Sequence, residues 1–202
     1  MSVPLPSAET RARAILDEHL AVADNTRSRL IPGIVTLADA LSDALEAGRK
    51  LIVFGNGGSA ADAQHFAAEL TGHFQAERGP LPAIALSTDT SALTAIANDY
   101  SFDEVFARQA TALTSAGDVT VGISTSGRAE NVVRGIQSAA ARGARTFALT
   151  GGTGGRLAEV ADVALIIPSN LTARIQEMHI TIIHIVCALL DERSVADPRP
   201  DP

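Results

Sequence analysis

The spacing of apolar positions in this chain changes near residue 50. Before that point they recur every three or four residues. Two amphipathic helices are expected there, about Ser7–Ala23 and Leu30–Ala47, with a break near "RLIPGI". Beyond it come five short apolar runs, "KLIVFG", "PAIALS", "DVTVGIS", "ARTFALT" and "VALIIPS", most of them leading through a small or polar residue into a helical pattern. Strands that are apolar on both faces and alternate with helices predict a parallel sheet covered on each side. The expected fold is therefore α/β, a three-layer α-β-α sandwich around a five-stranded parallel sheet, preceded by two N-terminal helices. The last helix, about Thr172–Arg193, is apolar on most faces, so it is expected to pack against the sheet or another subunit. "VADPRPDP" reads as a frayed end, giving a disordered tail over about 194–202.

The pattern does not encode strand order, but it locates the site. In open α/β sheets ligands sit beyond the carboxyl ends of the strands. Those ends are "GNGGSA", "STDTS", "STSGRAEN" and "TGGTGG".

Composition narrows the picture. A length of 202 residues, 46% hydrophobic and 19% charged, fits one soluble domain spanning 1–202, with helices over about 7–47 and an α/β core over about 50–192. The net charge of −7 argues against direct nucleic-acid binding. It leaves room for an anionic substrate, because a backbone nest binds phosphate without a basic surface. The single cysteine, Cys187, lies in "ITIIHIVCALL"; it reads as a small core hydrophobe and fits a cytoplasmic location. No uninterrupted apolar run reaches the roughly 18–20 residues of a membrane span, and the N-terminus lacks a signal-peptide apolar core.

"GNGGSA" leaves the first strand and opens a helix, where unpaired N–H groups and the helix dipole favour an anion. Gly55, Gly57 and Ala60 also fit the dinucleotide pattern, but the acidic residue that pattern needs at the end of the second strand is missing. Ser59 and Asp62 make a plausible capping box. In "ISTSGRAEN", Ser124, Thr125 and Ser126 present three hydroxyls between a strand and a helix, a second place to grip a phosphate or else a Ser/Thr-rich turn. "GGTGG" is a third flexible loop, with a plain turn as its alternative.

His65 and Glu69 are four residues apart on one helical face, close enough to share a metal or a proton, or to be an ordinary surface pair. In the last helix Gln176, Glu177, His179 and His184 interrupt an apolar pattern, and buried polar groups need partners. Spacing to His184 does not choose between Gln176 and Glu177. His19 and His73 read as surface residues.

Taken together, "GNGGSAADAQHFAAELTG", "ANDYSFDEVFARQ", "GISTSGRAENV" and "RIQEMHITIIH" closely resemble the sedoheptulose 7-phosphate isomerases, or phosphoheptose isomerases, of the sugar isomerase (SIS) domain superfamily. The resemblance runs from about Thr10 to Glu192 with matching order and spacing. It implies a cytoplasmic homotetramer with active sites between subunits, a phosphorylated ketoheptose substrate and one zinc ion per subunit, with no membrane partner. It implies His65, Glu69, Gln176 and His184 as metal ligands, and so prefers Gln176 to Glu177. It implies Asn56, Gly57, Gly58, Ser59, Glu69, Asn98, Asp99, Ser124, Thr125, Ser126 and Gln176 as substrate contacts, with Glu69 as base and His184 as acid. One position departs from the family: where it has a second Ser or Thr after "STSG", this chain has Ala129, preceded by Arg128, which could supply a charged donor instead.

The reaction so implied is a ketose-to-aldose isomerisation by zinc-assisted proton transfer through an enediol. Relatives of these isomerases also include binding proteins, one of which assists the bacterial replication initiator. The presence of all four of His65, Glu69, Gln176 and His184 favours the enzyme.

Overall fold

A computed structural model describes residues 6–196 of the chain, with side chains described to Arg193. Five strands form one parallel sheet: β1 (Leu51–Gly55), β2 (Ala83–Ala85), β3 (Val119–Ser124), β4 (Arg145–Gly151) and β5 (Val163–Ile167), in the order β2-β1-β3-β4-β5. Register is regular, with Leu51 beside Val119 and Phe54 beside Gly122. Alternation along β1 divides the core. Leu51 and Val53 face the side covered by α1 (Ala8–Glu46), α2 (Gly58–Thr71) and α7 (Thr172–Ala196). Ile52 and Phe54 face the side covered by α3 (Thr90–Asp99), α4 (Val105–Leu113), α5 (Glu130–Ala141) and α6 (Gly155–Val160). Burial on both faces explains why these strands read as continuous apolar runs.

The N-terminal region differs from expectation. One helix of 39 residues replaces the two expected, and it runs through Pro32 without a break. Apolar side chains on both sides of the proline hold it: Val22 before, and Ile34, Leu37, Leu41 and Leu45 after, all join the core under α7 and β5. That burial outweighs the local cost of one missing helical hydrogen bond.

α7 carries Ile175, Met178, Ile182, Ile183, Val186, Cys187 and Leu190 into the core. By length and composition its Thr172–Arg193 stretch is apolar enough to cross a membrane, unlike the sequence expectation, but half of it is buried inside the fold, as in a core helix. It also continues to Ala196, so residues 194–196 of the expected tail are helical; residues 197–202 lie outside the described residues. Burial pushes the Cys187 thiol up to about 12, which makes it a packing residue and not a nucleophile.

Candidate active site

β1 leads into α2 through Asn56 and Gly57, the latter in the left-handed region at φ 55°. The helix starts at Gly58, so Ser59 lies within its first turn, buried, and makes no cap. The expected Ser59–Asp62 capping box does not form. Asn56 is turned toward α5 and exchanges two hydrogen bonds with Asn131, of 2.8 and 3.0 Å. Gly58 is roofed by the amide of Gln176, with which a Cβ at this position would collide.

α2 and α7 lie against each other and run the same way. Gln176 meets Gly58 at one end, and seven to eight residues along, His65 meets His184. The two Nε2 atoms are 2.9 Å apart, and Glu69 Oε1 lies 3.3 Å from His65 Nε2. Phe74 stacks on the His184 ring with centroids 5.3 Å apart. Thus His65 touches both His184 and Glu69 within a single chain, although no three His, Cys, Asp or Glu among the described residues are grouped closely enough to hold a metal ion. Gln176 stays two turns away over Gly58, on the same side of α7. Glu177 faces elsewhere: it accepts from His19 Nδ1 and from Arg174 Nη2, each at 2.7 Å. This pairing leaves His19 half-buried instead of at the free surface, while His73 is exposed as expected.

Asp62, one turn before His65 on α2, reads in the sequence only as half of a capping box. Its Oδ2 is buried without a partner among the described residues, and burial pushes its carboxyl up to about 6 against the pull of His65. A carboxylate at i−3 from His65, matching the one at i+4, was the available signal.

The serine loop forms a different space. Thr125, Ser126 and Arg128 line a cavity of about 200 Å³ together with Gly151, Gly152, Thr153, Asn170, Thr172 and Ile175. Ser124, the last residue of β3, is buried and does not line the cavity, and Ser126 Oγ accepts from the Arg128 amide at 3.3 Å. Among the described residues no carboxylate lines this cavity. The nearby acid, Glu130, is engaged by Arg134 and Arg156, whose hydrogen bonds and charge hold its carboxyl below the usual range. Hydroxyls, an amide and one guanidinium around a small cavity suit an anion. The "GGTGG" loop is more than a turn: Gly154 and Gly155 pack against the Gly127 backbone, and Leu157 N–H donates to Gly127 O at 2.9 Å. Three residues with φ of 63°, 85° and 56° make that interlock possible, and no side chain fits between them. Asn170 and Thr172 were not anticipated, although they follow β5 at the same carboxyl edge.

Asn98 and Asp99 sit exposed at the end of α3, hydrogen-bonded to each other at 2.8 Å, and the structure does not bring them to His65, Glu69 or His184.

Comparison with known proteins places these features in a family. The SIS domain profile matches residues 16–151. A probable phosphoheptose isomerase from Thermoplasma acidophilum is 58% identical over 181 residues, 88% of this chain and all of the relative. Among solved structures, a phosphoheptose isomerase from Neisseria gonorrhoeae superposes with a TM-score of 0.87 at 46% identity, covering 92% of this chain and all of the other. One from Francisella tularensis gives 0.89 at 37% identity, covering 93% of this chain and all of the other. The chain belongs to the SIS domain family and, within it, to the phosphoheptose isomerases, a family of aldose–ketose isomerases.

Proposed function

We propose that this protein converts sedoheptulose 7-phosphate to D-glycero-D-manno-heptose 7-phosphate. The observation that carries the reading is the contact of His65 with both Glu69 and His184 on α2 and α7; the serine-lined cavity lies at the opposite end of these helices, beyond the carboxyl ends of the strands. Isomerisation needs a base for the proton at C1, a group that moves a proton at the C1 and C2 oxygens, and a remote grip that fixes the chain. Glu69 is the base, taking the C1 proton and returning it at C2. His184 exchanges the proton at the oxygens as the enediol forms and collapses. Ser124, Thr125, Ser126 and Arg128 hold the phosphate, so binding energy far from the reacting carbons orients them. Arg128 stands in for the hydroxyl lost at Ala129.

The donor types suit zinc, which takes N and O ligands: His65 Nε2 lies 2.9 Å from His184 Nε2 and 3.3 Å from Glu69 Oε1. His65, Glu69 and His184 would hold the ion; within one chain Gln176, the fourth ligand that the resemblance implies, lies two turns away over Gly58. When bound, zinc would supply Lewis-acid polarisation of the carbonyl.

The reading includes a cytoplasmic homotetramer. Ile15, Leu16 and Leu20 are exposed along α1, an apolar face that a second copy would cover. Asn98 and Asp99 reach a substrate, on this reading, only from an assembled neighbour.

The test is incubation with sedoheptulose 7-phosphate in deuterium oxide, with products followed by NMR. An aldose phosphate carrying deuterium at C2 is expected. An aldose without deuterium would overturn the proton-transfer route, and no aldose would overturn the activity.

A further inference from the structure

Arg78 and Asp191 form an ion pair at 2.7 Å in which each side chain is only 4% exposed. Neither residue belongs to the set that meets a substrate. A buried ion pair returns little net stability against the cost of taking both charges out of water, so stability alone is a weak reason for one. What distinguishes this pair is where its other bonds go.

Arg78 closes the carboxyl end of α2. Its Nη2 donates to the carbonyl of Glu69 at 2.8 Å and its Nη1 to that of Leu70 at 2.9 Å. These are last-turn carbonyls that lack helical partners. Glu69 therefore sits at a helix end, where fraying would move its carboxylate, and Arg78 is what fixes its backbone.

Asp191 lies on α7 seven residues, two turns, after His184. Its Oδ2 accepts from the Gln75 and Ala76 amides at 2.8 and 2.9 Å. Burial works against its charge, but those amides and the guanidinium outweigh it and hold the carboxyl below the usual range. The two amides directly follow the residue that matters. Phe74, immediately before them, stacks on the His184 ring with planes inclined by 26°. One carboxylate thus fixes the segment whose aromatic ring sets the imidazole, and its partner fixes the backbone of Glu69.

We infer that the Arg78–Asp191 pair is the positioning device of the Glu69/His184 site, holding Glu69 through its carbonyl and His184 through Phe74. It rests on the isomerase reading for its kinetic readout only. A misplacement of about 1 Å can cost about 100-fold in rate, while the phosphate-gripping loops, at the other end of α2, are left unchanged.

The test compares Asp191→Asn, Phe74→Leu and Phe74→Tyr with the parent protein at a temperature where circular dichroism shows each folded. Asp191→Asn and Phe74→Leu are expected to lower kcat by about ten- to a hundredfold with KM for sedoheptulose 7-phosphate within about twofold. Phe74→Tyr, which keeps the ring, is expected to retain kcat. The second readout needs no turnover: the nuclear Overhauser contact between the His65 and His184 ring protons is expected in the parent and in Phe74→Tyr, and lost in the other two. Phe74 is half-buried, so its variants decide the matter if Asp191→Asn does not fold. A lower melting temperature with kcat and ring contact unchanged is what a merely structural pair gives, and overturns the inference. If the parent turns over no heptose phosphate, the isomerase reading falls while the ring contact still decides this one.

Discussion

Asn56 and Asn131 exchange two side-chain hydrogen bonds across the crevice between the ends of β1 and β3. This is where the sheet order reverses, β1 continuing to β2 on one side and β3 to β4 on the other, and where ligands of open α/β sheets bind. The paired amides tie the two strand ends together. Asn131 is 2% exposed, so Asn131→Ala leaves the amide of Asn56 without its partner. A loss of about 1–3 kcal/mol is expected, measured by urea unfolding, with a raised KM for the sugar phosphate as the loops separate.

His179 controls part of the acid stability. It is fully buried; its Nε2–H donates to Thr150 O at 3.3 Å, and its Nδ1 has no partner among the described residues. Burial holds its imidazole down to about 4, from an ordinary 6.5, with the Thr150 carbonyl pulling the other way. The unfolded chain therefore takes up the proton first as the pH falls. This contribution is fully present above pH 6.5 and is lost as the pH falls toward 4, by about 3 kcal/mol in all. His179→Gln should flatten that slope, seen by comparing unfolding free energies at pH 7 and about pH 4.5.

Asp62 acts in the opposite sense. Its folded carboxyl titrates at about 6 against an ordinary 3.8, so the unfolded chain gives up the proton first as the pH rises. The stability it contributes is present below pH 3.8 and lost as the pH rises through 6. Allowing for solvent screening on its exposed part, Asp62→Asn should be more stable than the parent by about 1–2 kcal/mol at pH 8, with the gap closing by about pH 4. Thermal melts across that range check it.

Sequence patterning carried the sheet, because strands with both faces buried, such as Leu51–Gly55, cannot alternate with polar residues. It also carried the strand ends and the His65–Glu69 pair, both local relationships. It failed where tertiary contacts decide. Pro32 read as a helix break because the core residues that hold α1 through it are distant in sequence. Ser59 read as a cap because the helix start shifts by two residues when Gly57 takes the cap position. The pairing of Asn56 with Asn131 and of Arg78 with Asp191 joins residues 75 and 113 positions apart, which no periodicity encodes. The approach of His184 to His65 spans 119 positions and came only through resemblance to the family.

Zinc content tests the donor set. The purified protein is expected to retain about one zinc per chain after dialysis, by elemental analysis, and to lose heptose phosphate turnover on chelation and regain it with zinc. His65→Asn should weaken zinc binding by at least about tenfold, since even an outer-shell partner is worth that much.

The most direct measurement is the turnover of sedoheptulose 7-phosphate by the zinc-loaded parent and by Glu69→Gln, both confirmed as folded. The account predicts aldose phosphate formation by the parent and a fall of about two to four orders of magnitude in kcat for the variant, the usual worth of a general base. An active parent whose Glu69→Gln variant keeps the same kcat would contradict it.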